Sequence, residues 1–156
     1  LDVRENTGRI NGALAEIYRA TQGSAAPAPE SPAWKDWLIQ ELATPRPGLH
    51  DEPRRLDGLS AEATETLATF RTIGRLREQV DREAFGALIL SMTHSAADVL
   101  GVYLLAKEGG LFSDLQSVER CSLPVVPLLE TIPDLRRAPL ILKELLAVPL
   151  VQRSLR

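Results

Sequence analysis

Hydrophobic and polar positions alternate along the chain in a way that predicts short buried strands between amphipathic helices. The clearest segment is 123–129, seven residues without a charge, which is typical of a strand buried on both faces. Residues 87–90 predict a second buried strand that ends in Ser91 and Met92, and residues 1–4 are also strand-like. The later half of the chain therefore runs strand, helix, strand, helix, the order that indicates a parallel sheet.

Six helical segments accompany these strands in the prediction. Ser60 and Ser95 are suitable N-caps, and the spacing of Ser95 and Asp98 resembles a capping box. Gly109 is expected to end one helix, and Pro139 is expected to divide the last two. The predicted helical segments are 6–20, 33–43, 60–80, 95–108, 131–138 and 140–147.

Loops separate the early helices, and the three predicted strands are too few to complete a barrel. Residues 22–32 predict a mobile loop, residues 44–59 an irregular surface segment, and residues 111–121 a connection of undetermined form. Three strands do not close an eight-stranded barrel, and alone they would leave unpaired edges. We therefore expect one segment of a longer polypeptide, running from Leu1 to Arg156. Its predicted fold is helix-rich α/β with about three short parallel strands and five to seven helices.

The charge and aromatic content of the chain argue against nucleic acid and anionic membranes as partners. The 156 residues include 18 Lys and Arg against 21 Asp and Glu, a formal net charge of −3, which gives no reason to expect nucleic acid or an anionic membrane as partner. Aromatic residues make up only 4% of the chain, too few for a platform that stacks bases. A single cysteine, Cys121, excludes an internal disulfide and fits a reducing compartment. Cys121 is interpreted as a small buried residue or a linker residue.

A carboxylate at the end of a strand is the clearest candidate for chemistry. Glu130 directly follows the run 123–129 and precedes a helix start, which is where barrels of parallel strands place metal ligands and catalytic groups. A cation bound there would need oxygen ligands, and Glu130 could supply one. On the residues alone, a carboxylate that interacts with the helix dipole is the commoner explanation.

Other polar residues near the strand ends have structural explanations. Ser91 and Met92 could line a pocket, although core packing is an equal alternative for Met92. His94 lies near a strand end and could act as an acid or base, but a histidine at a helix start with no visible Asp or Cys partner is more often incidental. Asp98 is interpreted as a helix cap, and His50 as a solvated residue of a proline-rich loop.

Short motifs in a fixed order run through the whole chain. They are Leu1–Thr7, Glu41–Pro47, Leu88–Met92, Asp98–Leu100, Leu105–Glu108, Val126–Thr131 and Asp134–Leu135. In this order and at this spacing they resemble the phosphoenolpyruvate carboxylase family. The first is similar to the family's leucine-aspartate-isoleucine-arginine motif, and the sixth to its proline-leucine-phenylalanine-glutamate-threonine motif. Each motif is weak by itself, and the resemblance rests on their collinearity.

The resemblance implies a specific function. The family carboxylates phosphoenolpyruvate with bicarbonate to give oxaloacetate and phosphate, requires magnesium or manganese, and is a cytoplasmic homotetramer built on a helix-rich TIM barrel. Its metal-binding glutamate matches Glu130. A family arginine that contacts the phosphorylated substrate matches Arg4, which is therefore the expected catalytic and substrate-binding residue. Both groups are expected to converge on one cleft from the ends of neighbouring strands.

The resemblance also implies that some active-site residues lie outside this chain. The family's catalytic histidine is expected upstream and its second metal carboxylate downstream, so the rest of the polypeptide is an expected partner and the chain alone is expected to be inactive. Glu5, Asn6 and Leu129 depart from the family's Gln, Glu and Phe, which indicates a divergent member. The competing hypothesis is a non-catalytic helical interaction or scaffold module whose strands pair with another chain.

Overall fold

The structure is a computed structural model that describes residues 1–44, 56–81, 83, 85–115 and 118–155. Within this part of the chain, six helices accompany two small sheets, which confirms a helix-rich α/β fold. The elements in chain order are β1 Val3–Asn6, α1 Thr7–Gln22, α2 Pro32–Ala43, α3 Ala61–Gln79, β2 Leu88–Ser91, α4 Ala96–Glu108, β3 Phe112–Leu115, β4 Val118–Cys121, β5 Val125–Pro127, α5 Ile132–Leu146 and α6 Pro149–Ser154.

Three parallel strands form the main sheet, as the sequence predicts. Their order is β1-β2-β5, so β2 lies in the centre and is paired on both sides. Leu88 and Leu90 of β2 are fully buried, whereas Val126 of β5 is 43% exposed. Because side chains alternate between the two faces of a strand, the sheet has one face packed against the core and one more open face.

Helix α4 is the centre of the hydrophobic core. All of its residues are buried, and it packs against α1, α2, α3 and α5. A helix that is apolar around its whole circumference is stable only when neighbours surround it, and the other helices supply that cover. The polar residues of α4 lie at its two ends. Asp98 begins the helix through the predicted capping box with Ser95, and Lys107 is in its last turn.

Lys107 joins three parts of the fold although its side chain is only 2% exposed. Its Nζ donates hydrogen bonds to the carbonyls of Glu41, Leu42 and Thr44 at the end of α2, at 3.3, 3.1 and 2.7 Å. The same ammonium lies 3.5 Å from Glu119 Oε2 on β4. A buried charge is tolerated only when it is paired and hydrogen-bonded, and these contacts fulfil that requirement.

The last predicted strand is shorter than expected, and its expected burial on both faces is wrong. Strand β5 covers only Val125–Pro127, and Val126 is 43% exposed. Proline explains the short length, because Pro124 and Pro127 have no N–H to donate to a ladder and such residues are restricted to edge strands and strand ends. Val126 is exposed because it lies on the more open face of the sheet, in register with Arg4 through Ile89. The run 123–129 therefore contains an edge strand with irregular flanks.

Two other connections differ from the prediction. Residues 111–121 contain an antiparallel hairpin of β3 and β4, whose mixed polar sequence lacks the alternation that marks a strand. Pro139 lies inside the single helix α5, so the predicted division there is wrong. Pro139 is exposed, and Ile141 and Leu145 beyond it are buried. Burial of these two side chains offsets the loss of one helical hydrogen bond. In addition, Pro139 is on the exposed side of the helix, so water can satisfy the carbonyl that the proline leaves without a donor.

The remaining sequence expectations concern Cys121 and the segments between the early helices. Cys121 is buried, as predicted, and burial raises the pKa of its thiol to about 12. Residues 45–55, which include His50 and most of the expected irregular segment, lie outside the described residues. Residues 23–31 between α1 and α2 contain no helix or strand. In the described part of the chain, no helix has the length and apolar character needed to cross a membrane.

Candidate functional site at the carboxyl edge of the sheet

Each strand of the main sheet is followed by a helix that begins at the carboxyl edge, immediately after β1 and after four residues in the case of β2 and β5. Asn6, Ser95 and Thr131 cap helices α1, α4 and α5, and each side-chain oxygen accepts a hydrogen bond from a backbone N–H of the first turn. Because the strands are parallel, the three helix N-termini lie at one edge. Helix N-termini carry partial positive charge and exposed N–H donors, so this edge favours anionic groups.

Glu130 lies at this edge, three residues after β5, and its side chain is exposed. Its Oε2 accepts a hydrogen bond of 2.7 Å from the main-chain N–H of Met92, which follows β2. Among the described residues, no group donates a hydrogen bond to Oε1. The carboxylate is thus held through Oε2 on an exposed side chain, with Oε1 not engaged by any described residue, which is a suitable state for an oxygen ligand to a hard cation.

Met92 connects all three strand ends through its main chain. It is half exposed, with 50% of its surface accessible, so the core-packing alternative for Met92 is wrong. Its carbonyl accepts a hydrogen bond of 3.1 Å from the Thr7 hydroxyl at the start of α1, and its N–H binds Glu130. Its φ is 60°, in the left-handed region that residues other than glycine rarely adopt.

Arg4 lies on the more open face of the sheet. It is the second residue of β1, in register with Ile89 and, through it, with Val126, and its side chain is exposed. Arg4 forms no ion pair with any described residue. It lies inside its strand, not at the carboxyl end, and β2 separates β1 from β5. The expectation that Arg4 and Glu130 extend from the ends of neighbouring strands is therefore wrong: Arg4 lies within one outer strand, and Glu130 follows the other.

His94 has an acidic partner that the sequence analysis missed. Its Nδ1 lies 2.9 Å from Asp134 Oδ1 in the first turn of α5. Asp134 is buried, and the Thr131 hydroxyl donates to its other oxygen at 2.6 Å. The hydrogen bond from Thr131, followed by that from His94, lowers the pKa of Asp134 below its ordinary value of 3.8. The Thr131–Asp134 spacing indicates a carboxylate in the first turn of a helix, but its position beside His94 follows from the strand order.

Asp98 has the capping role predicted for it and further contacts as well. Its Oδ2 accepts hydrogen bonds from the backbone N–H groups of His94 and Ser95, at 2.9 and 3.0 Å. Its Oδ1 accepts one from Asn11 Nδ2 of α1 at 3.2 Å. With both oxygens occupied by the fold, Asp98 is a structural carboxylate. Together with His94, it fixes the β2–α4 connection.

A complete metal site is not formed by this part of the chain. Among the described residues, no group of three or more His, Cys, Asp and Glu is arranged to hold a metal ion. The exposed oxygen of Glu130 fits the oxygen donors that magnesium and manganese prefer. The geometry therefore fits Glu130 as a single protein ligand to such an ion and provides no complete ligand set among the described residues.

The fold and the site define a class of protein: a helix-rich parallel α/β segment with a polar edge suited to anions and a hard cation. Comparison with known proteins is more specific. The family profile described as "Phosphoenolpyruvate carboxylase" matches residues 1–156. The chain therefore belongs to the phosphoenolpyruvate carboxylase family.

Individual relatives agree with this assignment. A phosphoenolpyruvate carboxylase of Methylorubrum extorquens is 54% identical over 157 residues, which is 100% of this chain and 17% of the relative. That of Gloeobacter violaceus is 40% identical over 96% of this chain and 16% of its own length. The chain thus spans about a sixth of the length of the curated relatives that it matches.

Proposed function

We propose that this chain acts as one segment of a complete phosphoenolpyruvate carboxylase, which converts phosphoenolpyruvate and bicarbonate to oxaloacetate and phosphate. The observation that carries the proposal is the family match over residues 1–156, with Glu130 exposed at the carboxyl edge and held by one oxygen. By family resemblance, the complete protein is a cytoplasmic homotetramer whose subunits are built on a TIM barrel. The segment alone is expected to be inactive.

In this proposal, Glu130 supplies one ligand to magnesium or manganese. The hydrogen bond from Met92 N–H to Oε2 leaves Oε1 for the cation. When bound, such a cation polarises the substrate oxygens and stabilises the negative charge that develops on them. The second metal carboxylate and the catalytic histidine would come from other segments of the polypeptide, as the resemblance implies.

Arg4 supplies a fixed positive charge for the substrate. Phosphoenolpyruvate carries a phosphate and a carboxylate, and a planar guanidinium binds either group through two parallel hydrogen bonds. The support is that Arg4 is exposed on the more open face of the sheet and has no ion-pair partner among the described residues. The three helix N-termini at the edge favour the same anions.

The proposal is tested with the complete polypeptide that carries this segment. Oxaloacetate formation is measured through its reduction by NADH and malate dehydrogenase, with phosphoenolpyruvate or bicarbonate omitted as blanks. We expect turnover that needs both substrates and a divalent cation, and that is lost in Glu130→Gln and strongly reduced in Arg4→Gln. The matched controls, Glu62→Gln and Arg136→Gln, change exposed residues elsewhere and should retain activity. Absence of turnover in the unmodified protein, or full activity in both site variants, would refute the proposal.

A further inference from the structure

The main chain of Met92 has an unusual conformation at the candidate site. Among the described residues, Met92 alone combines a side chain with a positive φ, at 60°. A left-handed backbone is unfavourable for an L-residue with a side chain, and it persists only where surrounding contacts determine it. Both polar groups of the Met92 main chain have such contacts, one on each side of β2.

These two contacts connect the first residue of α1 to the proposed metal ligand. The Thr7 hydroxyl donates to the Met92 carbonyl at 3.1 Å, and the Met92 N–H donates to Glu130 Oε2 at 2.7 Å. The Thr7 residue is 9% exposed, so its hydroxyl is in a fixed position inside the fold. Through the main chain of one residue, these contacts connect the segments that follow β1, β2 and β5.

The Met92 side chain does not account for the conformation. It is 50% exposed, so burial of that side chain does not explain why the backbone remains in a rarely populated region. In this left-handed conformation, the Met92 N–H points toward the Glu130 carboxylate. Outer groups that hydrogen-bond a ligating carboxylate orient it, and their loss typically weakens metal affinity about 10- to 100-fold.

We propose that the left-handed backbone of Met92 is a positioning device for the Glu130 carboxylate, and that Thr7 acts through it. The N–H fixes Oε2 and so directs Oε1 to the cation. Met92 and Thr7 are positioning residues, since neither touches the cation or the substrate in this proposal. The inference rests on the proposed function, because it takes Glu130 to be a metal ligand.

The test compares substitutions at position 92 that differ in their tolerance of positive φ. In the complete polypeptide, Met92→Gly and Met92→Asn both remove the thioether side chain, but each accommodates the left-handed region. Met92→Val removes it too and strongly disfavours that region, because valine is β-branched. Binding of Mn²⁺ is measured without substrate by the electron paramagnetic resonance signal of the free ion, and thermal unfolding is recorded for each variant.

We expect Gly and Asn at position 92 to retain Mn²⁺ affinity within about threefold, and Val to weaken it about 10-fold or more. Equal affinity of the Val and Gly variants would overturn the inference. If Met92→Val does not fold, Thr7→Val decides: it should also weaken Mn²⁺ binding, whereas the control Thr93→Val should not, since the Thr93 hydroxyl donates to Leu90 O instead. Unchanged affinity in Thr7→Val would then overturn the inference.

The variant Glu130→Gln distinguishes a failure of the positioning inference from a failure of the proposed function. If it weakens Mn²⁺ binding while Met92→Val and Thr7→Val bind as the unmodified protein does, the positioning inference fails and the proposed role of Glu130 stands. If Glu130→Gln leaves Mn²⁺ affinity unchanged, the metal role in the proposed function fails, and the positioning inference fails with it.

Discussion

His94 Nδ1 lies 2.9 Å from Asp134 Oδ1, and this contact joins the β2–α4 connection to the first turn of α5. Asp134 is buried, whereas the His94 side chain is 48% exposed. A second contact, the hydrogen bond from the Met92 N–H to Glu130, joins the β2–α4 connection to the connection between β5 and α5. The carboxyl edge of the sheet is therefore held by polar contacts between its loops as well as by the strand ladder.

Asp134 gives the stability of the chain an acid dependence. Its pKa in the fold is below the ordinary value of 3.8, first because Thr131 donates to it and then because His94 does. A lowered pKa stabilises the fold fully above the ordinary value, and this contribution is lost as the pH falls through the folded-state value. In urea unfolding of residues 1–156, the stability difference between the unmodified chain and Asp134→Asn should be constant at higher pH and should shrink below about pH 3.8. A difference independent of pH would contradict the assignment.

Two glycines should respond to alanine in opposite directions. A Cβ at Gly74 of α3 would lie 2.6 Å from the carbonyl oxygen of Gly109, a clash with backbone, whereas a Cβ at Gly12 of α1 meets nothing within 4 Å. We expect Gly74→Ala to destabilise by about 2 kcal/mol, since overpacking forces the backbone to shift. Gly12→Ala should stabilise by about 0.5 kcal/mol through reduced chain entropy in the unfolded state. Urea unfolding followed by tryptophan fluorescence measures both, and equal effects would refute the close approach of α3 to α4.

Loss of the Lys107 ammonium should be costly. Lys107→Met keeps most of the apolar side chain but leaves the carbonyls of Leu42 and Thr44 without their buried donor. We expect a loss of about 3 kcal/mol in the free energy of unfolding. The control Lys143→Met, at an exposed position in α5, should change stability by less than about 0.5 kcal/mol. Similar effects of the two substitutions would show that Lys107 does not hold the end of α2.

The outer side of α5 predicts association between copies of the chain. Ile132, Leu135, Leu142 and Leu146 are 45–68% exposed and recur at helical spacing, so they form an apolar stripe without cover among the described residues. Such stripes promote association. Sedimentation of residues 1–156 should show a mass that rises with concentration, and Leu135→Glu with Leu142→Glu should suppress the rise. A monodisperse monomer with a sharp unfolding transition would instead favour the autonomous scaffold module.

Sequence periodicity was sufficient for the main sheet and most helices. The capping box of Ser95 and Asp98 and the N-cap Ser60 have strong local signals, and the structure confirms both. The β3–β4 hairpin has no such signal, since its residues are mostly polar and do not alternate. The continuity of α5 through Pro139 has no local signal either, because it depends on the tertiary burial of Ile141 and Leu145, which overrides the local preference of proline.

The candidate site was predictable only in part. Glu130 could be identified because it follows a strand, and Arg4 only through the family resemblance. The His94–Asp134 pair depends on which strands are neighbours, and the order β1-β2-β5 brings α5 beside the β2–α4 connection. The conformation of Met92 also had no signal, because a positive φ is expected at glycine or asparagine.

The most direct test of the central claim is the position of the metal in the complete polypeptide. Anomalous diffraction from crystals soaked in Mn²⁺ locates the ion without reference to activity. We expect an ion about 2.1 Å from Glu130 Oε1, with Oε2 still bound to the Met92 N–H. An ion bound elsewhere, with neither oxygen of Glu130 among its ligands, would contradict the claim.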